Sequence, residues 1–550
     1  MSFAEYLLAF FVGIGVRMLM ALAHASPTLL CGLLVAVVFR VLVGGRALRD
    51  ILAAGTTGSL ARAWLLGMLL PVCSIGAIPV ARELRRIGIS AGAVLAFAVS
   101  APLFNPISLL YGLTLSHPLV ILSFAGASMV VVTMTGMVHD RLWTRDAVDP
   151  PPEPQTPPGW RRLAVMALAG CREATGPTLG LTAIAIAGVG LLTAMLPFGI
   201  LQRSAKAFDP WAPPLMTAIG LPAYLTPTDV MMQVGSMFDH GNSVGAAYVL
   251  LSVGAGLNLG LVAWAYRSWG WRPATAWLGV LVGLVLTVAF VIERPLSFRD
   301  TPPEDHTHAF DTFCMPFPLD GARPVEQGGA LLTDRVPAHE WTSLALLAAV
   351  LLTGLVIRRL DPTSTWETWL SAPATDSSQS PQGFDVVVPP RILGGLSVAG
   401  LILLSMAAAY LYYPPPQTCL EDLQFAEAEV HAAALAGDQR RTEVWIVALE
   451  DLIRRGEVGL WIRGLPVTSD VAAAAVAFRE RLEAVEHAVL EHDHVDPELV
   501  RGELKSFISA GRVFRDCLRE AGLPEPPSVR DMSPPKASAA AEDTTSVARE

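Results

Sequence analysis

Nine runs of apolar residues, near 5–23, 27–45, 89–113, 118–138, 176–197, 243–265, 273–293, 341–358 and 392–412, lie close to the roughly 20 residues a helix needs to cross a bilayer. No water reaches a backbone in hydrocarbon, so every N–H and C=O there needs an internal partner, which a helix supplies along its own length. The expected fold class is therefore all-α, that of a polytopic membrane protein. Charged residues make up only 16% of the chain, against about 25% in ordinary soluble domains. One large soluble enzyme is excluded.

Two further apolar stretches are interrupted, 60–86 by Pro71, Gly76 and Pro79, and 212–240 by Pro213, Pro214, Pro222 and Pro227. A broken helix at membrane depth persists only where protein or a watery cavity satisfies the freed backbone groups, so both are expected to be re-entrant hairpins. If residue 1 is inside and each hairpin returns to its own side, the inner loops hold sixteen arginines, among them Arg62, Arg82, Arg85 and Arg86. The outer loops before the tail hold six basic residues. Because cytoplasmic loops carry the positive excess, a multi-pass protein of the cell inner membrane is expected, N-terminus inside and C-terminal region outside. The start, MSFAEYLLAFF, lacks a basic n-region and reads as an uncleaved first span.

The resulting division is an N-terminal span (1–26), a first repeat (27–148), a proline-rich linker (149–159) and a second repeat (160–293). An outer loop (294–340), two more spans with an inner linker (341–412), a soluble helical bundle (413–522) and a tail of disordered composition (523–550) follow. Only three lysines are present, none after a glycine, so a phosphate-cradling GxxxxGK[ST] loop is absent. Net charge is -10 and no basic tract argues for nucleic acid. The six cysteines show no CxxC spacing, which removes zinc-ribbon, thioredoxin-like and c-haem readings. No cofactor is expected.

The strongest signal is a repeat. Gly88, Ser90, Gly92, Ala93 and Asn105 match Gly241, Ser243, Gly245, Ala246 and Asn258 at identical offsets, and both copies open on Leu-Pro, at Pro71 and Pro222. The charge-derived topology brings the first hairpin in from inside and the second from outside. Inverted repeats with paired broken helices are the recurrent plan of secondary transporters, whose substrate site lies near the midplane between them.

The run PVCSIGAIPVARELRRIGI, followed by an AF-containing helix and APLFNP, resembles the signature of a bacterial predicted-permease family that includes organoarsenical efflux permeases. Cys73, Ser74, Gly76, Pro79, Arg85, Arg86, Asn105 and Pro106 match its pattern, while Ile75 stands where that family has a second cysteine. The likeness covers about residues 27–290 and is looser in the second half, where Tyr224, Leu225 and Thr226 replace a tyrosine-cysteine step. It implies a membrane permease and leaves the solute open, a small anion or an organometalloid among the candidates.

Candidate transport residues cluster at the breaks. Asp229, two residues past Pro227, is a carboxylate at a depth where an unpaired charge is costly, and so a candidate coupling site; the plainer role is to cap the half-helix after Thr226. Asn105 and Asn258 are equivalent donors that could face substrate or simply bond between helices. Cys73 could bind a soft ion or pack, beside Ser74 at the first break. Thr226 and Thr228 occupy the corresponding place in the second. Two GxSxG strings begin at Gly88 and Gly241, but each serine opens a span, where it makes an N-cap; a protease built on Ser243 and His240 is the lesser reading. His306, His308, Asp311 and Cys314 in the outer loop fit no structural-zinc spacing.

Beyond residue 413, apolar residues recur at helical steps in three segments: Cys419 to Ala433, Val471 to Val489 and Val500 to Leu518. With a helix near Trp445 to Ile453 these predict a four-helix bundle. His487, His492 and His494 fall off the stripe and read as a solvated face. In an up-down bundle Cys419 and Cys517 share one end, and on the expected outer side a disulfide between them is expected. The whole reads as a secondary transporter without enzymatic activity, moving a small molecule or ion across the bilayer by alternating access. The rival reading is a membrane scaffold or sensor whose working part is the exported bundle.

Overall fold

Pro27 lies where the first two apolar runs were expected to part, yet the chain stays helical through it. A proline at this point leaves the Ala23 carbonyl without its backbone donor, and the Ser26 hydroxyl donates to that oxygen at 2.7 Å. Serine can re-satisfy a carbonyl freed inside a membrane helix in this way. The first helix, α1 (Phe3–Val38), therefore continues into a π turn (Phe39–Val43). The expected spans 5–23 and 27–45, and the boundary at residue 26, give way to one helical segment of 41 residues, about 60 Å long at 1.5 Å per residue.

The computed structural model describes residues 3–52, 57–115, 118–143, 159–201, 204–297, 310–319, 323–371, 390–490 and 496–521; no strand occurs among them. Most of the linker at 149–159 and the tail 523–550 fall outside the described residues, as do His306, His308, His492 and His494. The chain forms two units, Met1–Tyr413 and Pro414–Glu550.

In the first unit α1 is followed by α2 (Gly45–Ile51), α3 (Thr57–Leu69), α4 (Ala77–Arg86), α5 (Ala91–Ser100), α6 (Pro106–Leu113) and α7 (Pro118–Leu142). Next come α8 (Trp160–Ala174), α9 (Pro177–Met195), α10 (Ala212–Gly220) and α11 (Pro227–Asp239). α12 (Val244–Val249) runs into a π turn (Leu250–Ala255), then α13 (Leu259–Trp269) and α14 (Trp271–Glu293). After a 3-10 turn (Asp311–Phe313) the unit closes with α15 (Pro324–Arg335), α16 (Ala338–Leu360), α17 (Thr365–Ser371) and α18 (Pro390–Tyr412). Among the described residues six helical segments are long and apolar enough to cross a membrane, and the α12–α13 pair, bent by 61°, is a seventh candidate.

The stretches 60–86 and 212–240 are each two helices with a non-helical break, at 70–76 and 221–226. Two runs expected to be unbroken also break. Asn105 and Asn258 adopt extended backbone and start new helices at α6 and α13, their side chains accepting from the N–H of Ser108 at 2.7 Å and Leu261 at 2.8 Å. Pro106 at the first position of α6 enforces the first of these, since the residue before a proline avoids helical backbone.

The matched residues of the repeat have matched jobs. Gly88 and Gly241 hold positive φ of 84° and 61°, which glycine adopts without strain. Ser90 and Ser243 cap α5 and α12. The Gly92 N–H donates to Asp140 at 2.7 Å and the Gly245 N–H to Glu293 at 2.6 Å; residues 92 and 245, like 140 and 293, differ by 153. At the same offset, a Cβ on Gly67 would meet Ser100 and Ala101, and one on Gly220 would meet Val253 and Gly254.

These contacts fix which ends lie together. Asp140 places the end of α7 beside the start of α5, so the α5–α6 pair runs one way and α7 returns. Leu60, early in α3, meets Gly136 near that end, whereas Gly67 at the far end of α3 lies against the close of α5. α4 then brings the chain back to Gly88. In the second copy, Phe208 donates to Glu293 at 2.9 Å ahead of α10, and Gly220 reaches Gly254 before α11 returns to Ser243. Trp269, closing α13, packs under Arg85 and against His139. Phe124, early in α7, packs against Phe238 and Tyr248.

The second unit consists of α19 (Pro416–Ala436), α20 (Gln439–Ile462), α21 (Ser469–Leu490) and α22 (Pro497–Ala521). The helix near 445–453 is longer than its apolar signal because charged side chains continue it on the inside. Arg454 is fully buried with Glu450 at 3.1 Å, Arg479 meets Glu457 at 3.5 Å, and Arg515 pairs with Glu427. Leu423, Phe478, Leu482, Phe507 and Phe514 share one core. Cys419 and Cys517 are both free thiols in this structure. Cys419 Sγ points to the Leu452 carbonyl at 3.6 Å and abuts Gly456, inside the core, while Cys517 packs at its margin. Burial pushes the Cys419 thiol up to about 12.

Candidate functional site

Each break is held against a long helix by a glycine. A Cβ on Gly32 of α1 would lie 2.2 Å from the Gly76 carbonyl oxygen, and one on Gly188 of α9 would lie 2.7 Å from that of Pro222. Both are inside van der Waals contact, so no larger residue fits without displacing backbone. α1 and α9 thereby bring the two breaks into one core, in which Cys73 and Ile75 from the first and Tyr224 from the second pack among Ala25, Leu29 and Ala185.

Beside this core lies a cavity of about 50 Å³. Its walls include Arg17 and His24 of α1, Val189 of α9, Tyr224 and Asp229 of the second break, and Phe313 of the 3-10 turn. Arg17 ties that turn down, donating to the carbonyls of Cys314 at 2.9 Å and Asp311 at 2.6 Å. His24 Nδ1 lies 2.6 Å from Oε2 of Glu340 in the first turn of α16. Arg17, His24, Tyr224 and Asp229 bring polar groups from separate elements to an otherwise largely apolar wall, the composition of a small-solute or ion site.

Of the expected transport residues only Asp229 lines this cavity. It is half-buried and also caps its own helix: the Thr226 N–H donates to Asp229 Oδ2 at 3.3 Å, and the Asp229 N–H to Thr226 Oγ1 at 3.1 Å. The capping role and the cavity position coexist. Thr228 is half-buried in the same first turn. Cys73 is fully buried and its sulfur accepts the Gly76 N–H at 3.3 Å, bracing the break; Ser74 Oγ beside it is buried without a hydrogen-bond partner among the described residues. Asn105 and Asn258 are spent as helix caps on one side, although the Asn258 Nδ2 is buried and has no bonded acceptor among the described residues.

Ser243 donates to Glu293 at 2.8 Å while His240 Nδ1 sits at the Ser236 carbonyl, 2.7 Å away; the pair is not arranged as nucleophile and base. Asp311 and Cys314 serve Arg17 through their carbonyls, and among the described residues no three His, Cys, Asp or Glu side chains gather as a metal set. Sequence reasoning passed over Arg17, His24 and Glu340. The first two were visible as polar residues inside an apolar run, which marks function at membrane depth. Asp140 and Glu293 were visible too, at the repeat's own offset.

The far end of this unit carries an ion-pair network. Arg82 of α4 meets Glu173 of α8 at 2.8 Å, and Glu173 accepts from Thr178 of α9 at 2.6 Å. Arg172 binds Asp361 at 2.8 Å and Glu367 at 2.9 Å. The first hairpin, α9 and α16 are thus joined by charge at one end, while the cavity lies towards the other.

No curated protein and no solved structure matches the chain. The model of the family ArsP_1, described as a predicted permease, matches residues 16–294, which is just over half of the sequence and takes in α3 to α14 and every cavity-lining residue but Thr312 and Phe313. The chain belongs to this predicted permease family, as a multi-pass membrane protein.

Proposed function

We propose that residues 1–413 form a secondary transporter of two inverted repeats, α3–α7 and α10–α14, each a re-entrant hairpin, a broken span and a full span. The observation that carries this is the pairing of opposite ends: Trp269, which closes a broken span in the second copy, packs on Arg85 at the hairpin end of the first. Phe124, at the far end of the first copy, packs on Phe238 at the hairpin end of the second. Positive-inside bias puts the end with Arg82, Arg85, Arg86 and Arg141 in the cytoplasm. The chain then crosses eight times, through α1, α5–α6, α7, α9, α12–α13, α14, α16 and α18. Residues 414–521 form a helical bundle outside, after the last crossing.

In alternating access the site opens to one side at a time. The cavity lined by Asp229 and His24 belongs to the outward route, and the Arg82–Glu173 and Arg172–Asp361 pairs close the inward one. Asp229 couples transport to protons, being the carboxylate that lines the cavity at a depth where an ionisable side chain marks an ion or proton path. The solute is a small anion, an organometalloid or another compact solute. The test is a panel of inorganic anions and trivalent organoarsenicals in inverted vesicles, with and without a proton gradient. Gradient-dependent movement that survives deletion of residues 414–550 supports the permease. Loss of every phenotype on that deletion, with insertion intact and no movement of any solute, would favour the scaffold or sensor.

A further inference from the structure

A carboxylate at the base of a narrow cavity exchanges protons only as fast as a neighbour delivers them. Arg17 cannot serve, because its guanidinium stays charged at any usable pH and donates to two carbonyls of the 3-10 turn. His24 can. It lines the same cavity and lies within electrostatic reach of Asp229. Its side chain is 24% exposed and that of Glu340 is 14% exposed, so the pair is not sealed among the helices. The charged groups facing His24 are Glu340 from α16, Asp229 from α11 and Arg17 from its own helix; α9 contributes only Val189 and Leu192 to the wall.

Resting on the coupling role proposed for Asp229, we infer that His24, held by Glu340, is the proton shuttle between the outer solution and Asp229. The Glu340 carboxylate, 2.6 Å from Nδ1, favours the proton on that nitrogen and leaves Nε2 as the exchanging one. A proton from outside water adds to Nε2 and makes the imidazolium, which the Glu340 carboxylate stabilises. The Nε2–H bond then breaks as an O–H bond forms on Asp229, and the ring returns to neutral. A cavity of about 50 Å³ is roomy enough to hold water that carries that step. Release to the outside runs the same sequence backwards. Glu340 acts through His24 and is a positioning residue.

The experiment is time-resolved infrared spectroscopy of the full chain in lipid nanodiscs after a light-triggered acid jump, which needs no transported solute. The C=O stretch of protonated Asp229 is identified by its loss in Asp229→Asn. In His24→Ala that band is expected to reach full amplitude but to rise about tenfold more slowly or worse, the scale on which a positioned acid–base group acts. Added imidazole should restore the rate, which a merely structural role would not allow. His24→Gln, closer in size, provides the same reading should the alanine variant lose amplitude by misfolding. A wild-type rise in the folded His24 variant overturns the shuttle while leaving Asp229 as the coupling group. No Asp229 band in the wild-type protein on acidification would overturn the coupling role and the shuttle with it.

Discussion

Gly92→Ala tests whether the close approach of α5 to α7 is what fixes the first repeat. The new Cβ would lie 2.3 Å from the Gly136 carbonyl oxygen and 2.6 Å from Asp140 Oδ2. Backbone cannot rotate away as a flexible side chain can, so the two helices must part by about 1 Å to restore contact distance. Overpacking of this kind costs about 1–3 kcal/mol. Parting also lengthens the 2.7 Å bond from Gly92 N–H to Asp140, which is partly buried, and a hydrogen bond to a charged group contributes about 1.5–3 kcal/mol. Together the loss is roughly 2.5–6 kcal/mol, offset by no more than about 1 kcal/mol from the better helix propensity of alanine. Gly245→Ala should behave alike, since its Cβ would lie 2.6 Å from the Ala289 carbonyl oxygen. Gly126→Ala, on the exposed side of α7 with nothing within 4 Å, is the control and should be neutral or slightly stabilising. Thermal melts of detergent-solubilised protein, followed by fluorescence-detected size exclusion, read all three. A Gly92→Ala variant that melts with the wild type, or a Gly126→Ala variant that falls as far, would refute the argument.

Three further outcomes are expected. Single cysteines placed at Arg62 and Arg86 should label with impermeant maleimide from the same membrane face; labelling from opposite faces would make α3–α4 a full crossing. Asp229→Asn should lose gradient-driven accumulation while retaining exchange in the vesicle assay, and unchanged coupling would remove Asp229 from the mechanism. Cys419 should resist alkylation near neutral pH in the folded protein. Because the folded state keeps the thiol proton that the unfolded chain loses above about pH 9, the stability of the second unit should fall as pH rises from there towards 12, which denaturant titrations of the full chain monitored at Trp445 and Trp461 would detect; a flat response would contradict it.

The residues matched between the two stretches do backbone work, which is why they stand out in the sequence. A positive-φ turn accepts Gly88 or Gly241, an N-cap wants Ser90 or Ser243, and a helix crossing at contact admits only Gly92 or Gly245. Such demands write residue type into the sequence at fixed spacing. The breaks after α5 and in the α12–α13 run were written there as well, in Asn105-Pro106 and Asn258, but their apolar surroundings made each run look like a single span. The pairing of His24 with Glu340 is different. Neither residue carries a local pattern, and they meet only because α16 packs on α1, which no spacing along the chain records. The charged core of the second unit escaped for a related reason: on a helical stripe Arg454 reads as surface, and only the packed helices show that it is fully buried with Glu450 beside it.

The continuity of α1 decides the side on which the chain begins. Two crossings between residues 5 and 45 would return the chain to its starting face, whereas one crossing leaves it on the other. The arginines that set orientation follow α1, and Arg49 donates to the Ile87 carbonyl at 2.9 Å, tying the segment after α1 to the turn that ends the first hairpin. Those residues stay together at one end whichever way residue 3 lies. The bias that favoured an inside N-terminus for two spans therefore favours an outside N-terminus for one, which is the expectation under the proposed topology. The remaining seven crossings then carry residue 413 to the outer face as well. An epitope tag fused ahead of Met1 should be digested by protease added to spheroplasts and protected in inverted vesicles. Digestion only in inverted vesicles would show that residues 3–43 cross the membrane an even number of times, which a single unbroken helix cannot do.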